Sequence, residues 1–366
     1  SNVMGVLLRR RVLHSKCTTT DPKQADLFLI PMWLASKLRL DWETRCQEFV
    51  QKDGAHALVK ELVHLTPENA HRHMLVNGKN LLFCEQWWNK PYLPELEQIT
   101  RLATRFCYAP PCRSLTEHIP ILTLPYPSMV YWSSTFGDQA TPWAKPRKRT
   151  HLMSLIMSQR RTKVSWIVYY GWVLRAELWR LCSRYGRSVC QGKRPLDLKS
   201  NLDIFRIYSS SEFCLQPQGD TCERKGILDS LLAGCIPVLF NEPACPMNQV
   251  FHHHWGPWQN SSAVVFNVQD ILDKKVDVKA TLEAIPQERR ARMRATIAKF
   301  GHLMQYNVED PPEGQDDALT WAFRLVHEGR RGDLPPPPRD IGDRDKKHFL
   351  PPLPPPVVRG KSRKRK

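Results

Sequence analysis

Apolar residues occur along the chain in two patterns: short continuous runs and longer stretches of helical spacing. The runs have the length and the proline or glycine flanks of buried strands. They lie at 25–31, 80–84, 119–125, 151–157, 212–215, 236–240 and 263–266. Helical spacing is found over 41–65, 173–182, 224–233, 287–306 and 318–327. Strands that alternate with helices predict an α/β protein.

Two stretches divide the chain into parts. Residues 134–148 are polar and carry Pro142 and Pro146, which predicts a linker between two α/β halves. The last part is rich in proline and charge, which predicts a disordered basic tail. We therefore expect domains at 1–145 and 146–328 and a tail at 329–366. Residues 1–20 are basic and irregular, and no helix or strand is predicted there.

The composition is globular, with 42% hydrophobic and 25% charged residues. The formal net charge of +18 predicts an anionic partner, which leaves nucleic acid, anionic lipid, sugar nucleotide and acidic polysaccharide open. No stretch reaches the roughly 20 apolar residues of a membrane-spanning helix.

The 11 cysteines are an odd number, so at least one thiol lies outside any intramolecular pair. Their spacing does not fit a zinc site. Cys107 with Cys112, or Cys182 with Cys190, are candidate disulfides of an oxidising compartment. The alternative for each is a small buried hydrophobic side chain.

The segment 213–240 has the pattern of a strand, a glycine-containing loop, a helix and a second strand. Its helix is expected to begin near Glu223 with Thr221 as a cap, and to stop at Gly234. The backbone N–H groups of a helix N-terminus attract anions such as phosphate. The loop therefore predicts an anion site.

Arg224 and Lys225 fall in the first turn of this helix, where positive charge opposes the helix dipole. An anionic ligand would remove that conflict, which is the kind found at functional sites. The alternative is a surface helix that carries two solvated cations.

This segment resembles the signature of exostosin-like glycosyltransferases, and most of all the plant xyloglucan galactosyltransferase branch. The similarity is carried by Phe-Cys-Leu-Gln-Pro-Gln-Gly-Asp at 213–220, by Arg224, Lys225 and Asp229, and by Leu-Ala-Gly-Cys-Ile-Pro-Val at 232–238. It extends over about residues 20–327. Further similar elements lie at 20–31, 119–127, 149–160 with Arg175, and 302–306.

Two places depart from the family pattern. Met157 stands where the family has a glycine, and residues 71–88 match poorly in a region expected to face the acceptor. These departures keep open a catalytically inactive, carbohydrate-binding member of the same fold. A basic nucleic-acid-binding protein is a further alternative, although no recognised nucleic-acid motif is present.

The resemblance implies the GT-B fold, in which two Rossmann-like domains face each other across a cleft. It implies an inverting glycosyltransferase that uses a UDP-sugar as co-substrate, a glycan or polysaccharide as acceptor, no metal or other cofactor, and no nucleic acid. Cationic side chains would neutralise the departing UDP. The donor-binding residues that it implies are Arg160, Arg161, Arg175, Gly219, Asp220, Thr221, Glu223, Arg224, Lys225 and Asp229.

Some of these residues have structural alternatives. The alternative for Asp229 is a carboxylate that packs its helix. The alternative for Arg175 is an ion pair at an interdomain surface. The catalytic base is expected in the first half, where Glu85 precedes Trp87 and Trp88. His73, together with the nearby His71, is a rival candidate for the base. The alternative for Glu85 is an ordinary surface glutamate, and the alternative for the histidines is a structural role.

The resemblance also implies the Golgi lumen and a type II membrane anchor upstream of this chain. Asn260-Ser261-Ser262 is a glycosylation sequon, which agrees with that compartment.

Overall fold

The structure is a computed structural model. It describes residues 2–30, 62–66, 68–76, 104–107, 121–128, 130, 141–158, 169–219, 222–243, 245–311 and 315–328. All of them fall in one compact unit, residues 1–334. Most of the helix predicted over 41–65, the strand at 80–84 and the tail lie outside the described residues. The predicted end of that helix was wrong, because residues 62–66 form a turn and irregular chain.

Two parallel sheets organise the described chain. The first has the order β1-β2-β3-β4. Its strands are β1 (Phe28–Ile30), β2 (His73–Val76), β3 (Thr104–Cys107) and β4 (Ile121–Thr123). Every neighbouring pair in it is parallel. The predicted strands at 25–31 and 119–125 are thus confirmed, with shorter bounds.

The second sheet has the order β6-β5-β7-β8-β9, and all its pairs are parallel. Its strands are β5 (His151–Ile156), β6 (Cys190–Lys193), β7 (Ser211–Leu215), β8 (Ile236–Asn241) and β9 (Val264–Asn267). The predicted α/β class with parallel sheets is confirmed.

Helices flank these strands in the order α1 to α9. Their bounds are α1 (Asn2–His14), α2 (Tyr169–Tyr185), α3 (Asn201–Ser209), α4 (Lys225–Leu232), α5 (His252–Gln259), α6 (Val268–Leu272), α7 (Val278–Glu283), α8 (Gln287–Phe300) and α9 (Ala318–His327). The expectation that residues 1–20 are irregular was wrong, because α1 forms there. The helix predicted over 287–306 ends at Phe300 and continues as a 3-10 turn at Gly301–Met304.

The main core lies between the second sheet and its helices. Its largest buried side chains include Phe213, Phe240, Phe251, Trp255 and Met153. Helix α4 is buried on all sides from Ile227 to Leu232. Gly234 follows its C-cap with φ +68, and a Cβ there would lie 2.9 Å from the carbonyl oxygen of Trp143. The predicted glycine stop is confirmed.

The last helix packs with the first sheet. Leu319, Leu325 and Val326 of α9 form one cluster with Leu122 and Leu124 at β4. Residues predicted to belong to the second half therefore contribute to the core of the first. The boundary between 145 and 146 stays a prediction.

Helix α1 is held by a buried arginine. The Arg11 guanidinium pairs with Asp310 at 2.9 Å and with Asp317 at 3.4 Å, and Leu8 lies in the cluster around α9. These partners are about 300 residues away in sequence, which explains why a local pattern did not reveal the helix.

Three disulfides occur among the described cysteines: Cys182–Cys190, Cys214–Cys235 and Cys222–Cys245. The first was one of the two candidates and is confirmed as a disulfide. The other two were not predicted. The candidate Cys107–Cys112 lies outside the described residues because Cys112 does. Cys17 is a free, exposed thiol.

Candidate functional site

The order of the second sheet defines where a ligand would bind. The chain leaves β5 toward β6 on one side, and it leaves β7 toward β8 on the other. The carboxyl ends of β5 and β7 are therefore a topological switch point, where open α/β sheets form a crevice for ligands. The loop after β7, which the sequence analysis singled out as an anion site, begins at this point.

The predicted strand–loop–helix unit is present. Strand β7 ends at Leu215, the described residues 216–219 belong to the loop, and α4 begins at Lys225 with Arg224 in the N-cap position. The prediction of a helix that begins near Glu223 with Thr221 as its cap was therefore wrong, because Arg224 occupies the N-cap position. No side-chain hydrogen bond caps α4. Its first backbone N–H groups thus point toward the switch point without a side-chain cap.

Arg224 joins the two strand ends of the switch point. Its Nη1 donates to the carbonyl oxygen of Pro217 and its Nη2 to that of Ile156, each at 2.9 Å. Among the described residues, these two carbonyls use two of the five N–H donors of the guanidinium. Gly226 makes room for this side chain, because a Cβ there would lie 3.2 Å from Nη2 and 2.6 Å from Oε1 of Gln216.

Burial changes the electrostatics of Arg224. Desolvation lowers the pKa of its guanidinium, and the nearby Tyr208 and Asp229 oppose that shift. Keeping Arg224 positively charged therefore costs desolvation free energy, and an anionic ligand would offset that cost.

Arg175 of α2 bridges the same two strand ends. Its Nε donates to the carbonyl oxygen of Gln218 at 2.7 Å, and its Nη1 to that of Ser158 at 3.3 Å. Residue 158 follows β5 and residue 218 follows β7. The structure thus brings two of the predicted donor-binding arginines, Arg175 and Arg224, to the switch point.

Lys225 and Asp229 satisfy each other. The Lys225 Nζ donates to both carboxylate oxygens of Asp229 at 2.9 and 2.6 Å, and Ser128 Oγ donates to Oδ1 at 2.6 Å. Asp229 is 4% exposed. The charge of Lys225 is therefore compensated within the protein, and Asp229 has the contacts of the packing carboxylate that was its alternative. Ser128 lies in the segment after β4, so this contact joins the two halves.

Met157, the departure from the family's glycine, belongs to the core. Its side chain is 1% exposed and packs in the main hydrophobic cluster, and its N–H donates to the carbonyl oxygen of Lys193 at 3.2 Å. The larger side chain is thus accommodated on the packed side of the sheet.

Sequence reasoning missed a buried carboxyl group next to this site. Glu242 follows β8 directly and is 4% exposed. Neither of its carboxylate oxygens has a hydrogen-bond partner among the described residues, and the same is true of Oε1 of Gln218. Burial raises the pKa of Glu242 to about 7. The only sequence signal was an acidic residue directly after a predicted strand.

The raised pKa of Glu242 predicts a pH-dependent stability. Below pH 4.5, its ordinary pKa, the carboxyl is neutral in folded and unfolded chains; above pH 7 the folded protein carries a buried charge. Stability should therefore fall as pH rises between these values, by about 3 kcal/mol in total. We expect Glu242→Gln to raise the free energy of unfolding relative to wild type at pH 8, and to raise it less at pH 4.5. Denaturant unfolding with intact disulfides measures both.

Glu283→Gln is the matched control for this prediction. Glu283 lies on α7 and is exposed, with its carboxylate paired to Lys279 at 2.7 Å. Its replacement should change stability by no more than about 0.5 kcal/mol at either pH. Equal effects of Glu242→Gln at pH 4.5 and pH 8 would contradict the assignment of a buried titrating carboxyl.

A disulfide fixes the two loops of the site together. Cys222, just before α4, is bonded to Cys245, which follows Glu242 by three residues. The N–H of Cys245 also donates to the carbonyl oxygen of Glu242 at 2.9 Å. The side chain of Gln218 reaches across to β8, where its Nε2 donates to the carbonyl oxygen of Phe240. The ends of β7 and β8 are therefore one connected structure.

His73, a candidate base, lies elsewhere. It is the first residue of β2, at the amino end of the first sheet, and is 3% exposed. Its ring stacks on Phe28 with centroids 4.6 Å apart, and Nδ1 contacts the carbonyl oxygen of Asn69 at 3.0 Å. Burial lowers the pKa of His73. These contacts favour the structural alternative, because ligands of parallel sheets bind at the carboxyl ends.

The remaining predicted site residues fall into two groups, those that the structure describes and those that it does not. Gly219 is half-buried in the loop, and Glu223 is buried directly before Arg224. The others lie outside the described residues: Glu85, Arg160, Arg161, Asp220 and Thr221. Asn260 is exposed at the end of α5, where a glycan would meet no packed neighbour from the core.

Two further observations concern metals and membranes. Within the described ranges, no group of three or more His, Cys, Asp or Glu side chains is arranged to hold a metal ion. Of the helices in that same part of the chain, none combines the length and the apolar character required to cross a bilayer.

The second of the two parallel sheets thus has a basic switch point. The chain belongs to the exostosin GT47 family, since residues 2–281 match the exostosin GT47 domain. The family resemblance seen in the sequence is confirmed.

Two curated relatives and one solved structure are similar to this chain. The probable xyloglucan galactosyltransferase GT15 of Arabidopsis thaliana is 30% identical over 352 residues, covering 89% of this chain and 68% of the relative. The probable xyloglucan galactosyltransferase GT19 of the same plant is 34% identical over 327 residues, covering 83% and 71%. The crystal structure of Arabidopsis thaliana UGT89C1 complexed with quercetin covers 86% of this chain and 84% of its own, with 12% identity and a TM-score of 0.33.

Proposed function

We propose that this protein is an inverting glycosyltransferase that moves a sugar from a UDP-sugar to a hydroxyl group of a glycan or polysaccharide. The observation that carries the proposal is the pair of guanidinium groups, Arg175 and Arg224, at the switch point of the second sheet. The names of the relatives favour galactose as the sugar and xyloglucan as the acceptor.

The diphosphate of the donor would lie at the carboxyl ends of β5 and β7. Arg175 and Arg224 would face its negative charge, together with the first N–H groups of α4. The loop at 216–219 would approach it through the backbone. Arg160, Arg161, Asp220 and Thr221 remain predicted contributors to this seat.

These groups have a role in the chemistry. The acceptor oxygen forms a bond to the anomeric carbon while the bond from that carbon to the diphosphate oxygen breaks, and the bonding electrons leave with UDP. Guanidinium groups stabilise the negative charge that develops on the departing UDP. We propose that they do so without a metal ion, so that turnover persists in excess EDTA.

The acceptor proton must pass to a base. Glu85 remains the proposed base, because a carboxylate beside Trp87 and Trp88 would combine a proton acceptor with a sugar-stacking surface. His73 is not part of the proposal, because it lies at the amino end of the first sheet.

We also propose that the protein works in the Golgi lumen. Three disulfides within one chain are typical of proteins that fold in the oxidising secretory pathway. The exposed Asn260, in its sequon, agrees with that route.

Transfer can be measured directly on the purified chain. We expect UDP release and a galactosylated product from UDP-galactose and xyloglucan oligosaccharides, with the configuration of the new bond opposite to that of the donor by NMR. Binding of UDP-galactose without UDP release or product would favour the inactive, carbohydrate-binding alternative. No binding of any UDP-sugar would contradict the proposed donor site.

A further inference from the structure

Glu242 occupies a defined place relative to the two guanidiniums. Arg175 and Arg224 bridge the ends of β5 and β7, and Glu242 follows β8, which is the next strand of the sheet. Neighbouring strands lie about 4.8 Å apart. The carboxyl group is therefore on the same edge of the sheet as the guanidinium pair, displaced from it by one strand.

The carboxyl of Glu242 lacks the hydrogen-bond partners that a buried carboxyl normally has. It is 4% exposed, and no described residue hydrogen-bonds to either of its oxygens. Buried polar atoms in native proteins nearly always have partners, and exceptions point to a missing ligand or a functional role. Oε1 of Gln218 is a third such atom on the same edge, since the Gln218 amide already bonds to the Phe240 carbonyl of β8. All three are acceptors when the carboxyl of Glu242 is ionised.

The position is rigid. Glu242 pairs with Cys245 in a β-bridge, and Cys245 is bonded to Cys222 beside α4. The backbone that carries the Glu242 side chain is therefore fixed at this edge of the sheet, which reduces the cost of presenting its acceptors to a ligand with hydrogen-bond donors.

The chemistry of that ligand follows from charge. A carboxylate would repel a diphosphate, so the phosphates belong with the guanidiniums. The part of a nucleotide-sugar that carries no charge and many O–H donors is the sugar. Glu242 lies one strand away from the guanidinium pair along the same edge of the sheet. It is therefore placed to meet the sugar of a ligand whose phosphates lie at the guanidiniums.

We propose that Glu242 accepts hydrogen bonds from hydroxyl groups of the donor sugar and thereby selects which sugar is transferred. Gln218 supplies a second acceptor through Oε1. This inference rests on the proposed function, since it assigns a specificity residue to the same donor site.

The test compares UDP with UDP-galactose by calorimetric titration of wild type and Glu242→Gln. The substitution keeps the size of the side chain and replaces one acceptor oxygen by a donor NH2. We expect the affinity for UDP-galactose to fall about tenfold or more, because hydrogen bonds to charged groups are among the strong ones. The affinity for UDP should change less than about twofold, since UDP has no sugar beyond its phosphates.

A second measurement identifies the contact. Donors that lack single hydroxyl groups, such as the deoxy and fluoro analogues of UDP-galactose, should bind wild type more weakly at one or two positions. Glu242→Gln should show no further loss at those positions, because the partner is already absent. The control is Glu283→Gln, which should behave as wild type throughout.

Three outcomes would overturn the inference. Equal losses for UDP and UDP-galactose in Glu242→Gln would mean that the residue supports the nucleotide or the fold instead of the sugar. Unchanged affinity for UDP-galactose would mean that the sugar lies elsewhere. Failure of wild type to bind UDP itself would overturn the proposed function as well, and so is distinguishable from the first two.

Discussion

Replacement of Arg224 by alanine is expected to remove the thermal stabilisation that UDP gives the protein, and to lower turnover by about 100-fold or more. The reason is that one guanidinium performs two tasks. It holds the ends of β5 and β7 together through the carbonyls of Ile156 and Pro217, and it brings positive charge to the place where the diphosphate would lie. The measurements are a thermal-shift titration with UDP and a UDP-release assay.

Two variants give this experiment its controls. Arg180→Ala removes an exposed arginine of α2 that pairs only with Glu177 on the same helix among the described residues, and it should leave UDP binding unchanged. Arg224→Lys keeps the charge but not the two-pronged geometry, so it should recover only part of the loss. A full UDP shift in Arg224→Ala would contradict the donor site as assigned.

Removal of the Cys222–Cys245 disulfide is expected to have the second large effect. The double replacement by serine should lower the free energy of unfolding by about 3 kcal/mol and also weaken binding of UDP-galactose. The binding loss is expected because this bond ties the segment before α4 to the turn after β8, and with it Arg224 to Glu242. Denaturant unfolding and calorimetry measure the two effects separately.

The Cys182–Cys190 disulfide is the matched control. It joins α2 to the first residue of β6, at the amino edge of the same sheet. Its removal should also cost about 2–3 kcal/mol of stability, but it should leave the affinity for UDP-galactose unchanged. Equal binding losses in the two double variants would show that the loss follows from general destabilisation.

The unit from β7 to β8 was predictable from local pattern. Strands β7 and β8 have short apolar runs, and α4 between them has apolar residues at helical spacing followed by Gly234. Local signals of this kind suffice where an element is buried on both sides. The conflict of charge predicted at Arg224 and Lys225 is resolved for Lys225 by its pairing with Asp229, whereas an anionic ligand at Arg224 stays a prediction.

Long-range partners account for what the sequence did not reveal. Lys225 is neutralised by Asp229 one turn later, whereas Arg224 bonds to Ile156, 68 residues away. Helix α1 contains Arg9 to Arg11, which break its apolar pattern, and it is stabilised by Asp310 and Asp317 from the far end of the chain. No window of local sequence contains the contacts of Arg224 with Ile156 or of Arg11 with Asp310 and Asp317.

Glu242 was missed for a similar reason. An acidic residue before a proline, at the end of a strand, has the sequence pattern of an exposed turn. Its burial depends on the disulfide and the turn at Cys245, neither of which a single sequence discloses. His73 illustrates the opposite case, because a histidine near an expected acceptor region suggested chemistry while its stacking on Phe28 indicates packing.

A crystal structure of the protein with UDP would examine the seat of the diphosphate without any assay. We predict the two phosphate groups within hydrogen-bond reach of the Arg175 and Arg224 guanidiniums, against the loop at 216–219. Phosphates bound at the amino edge of the second sheet, or on the first sheet away from both arginines, would contradict the proposed donor site.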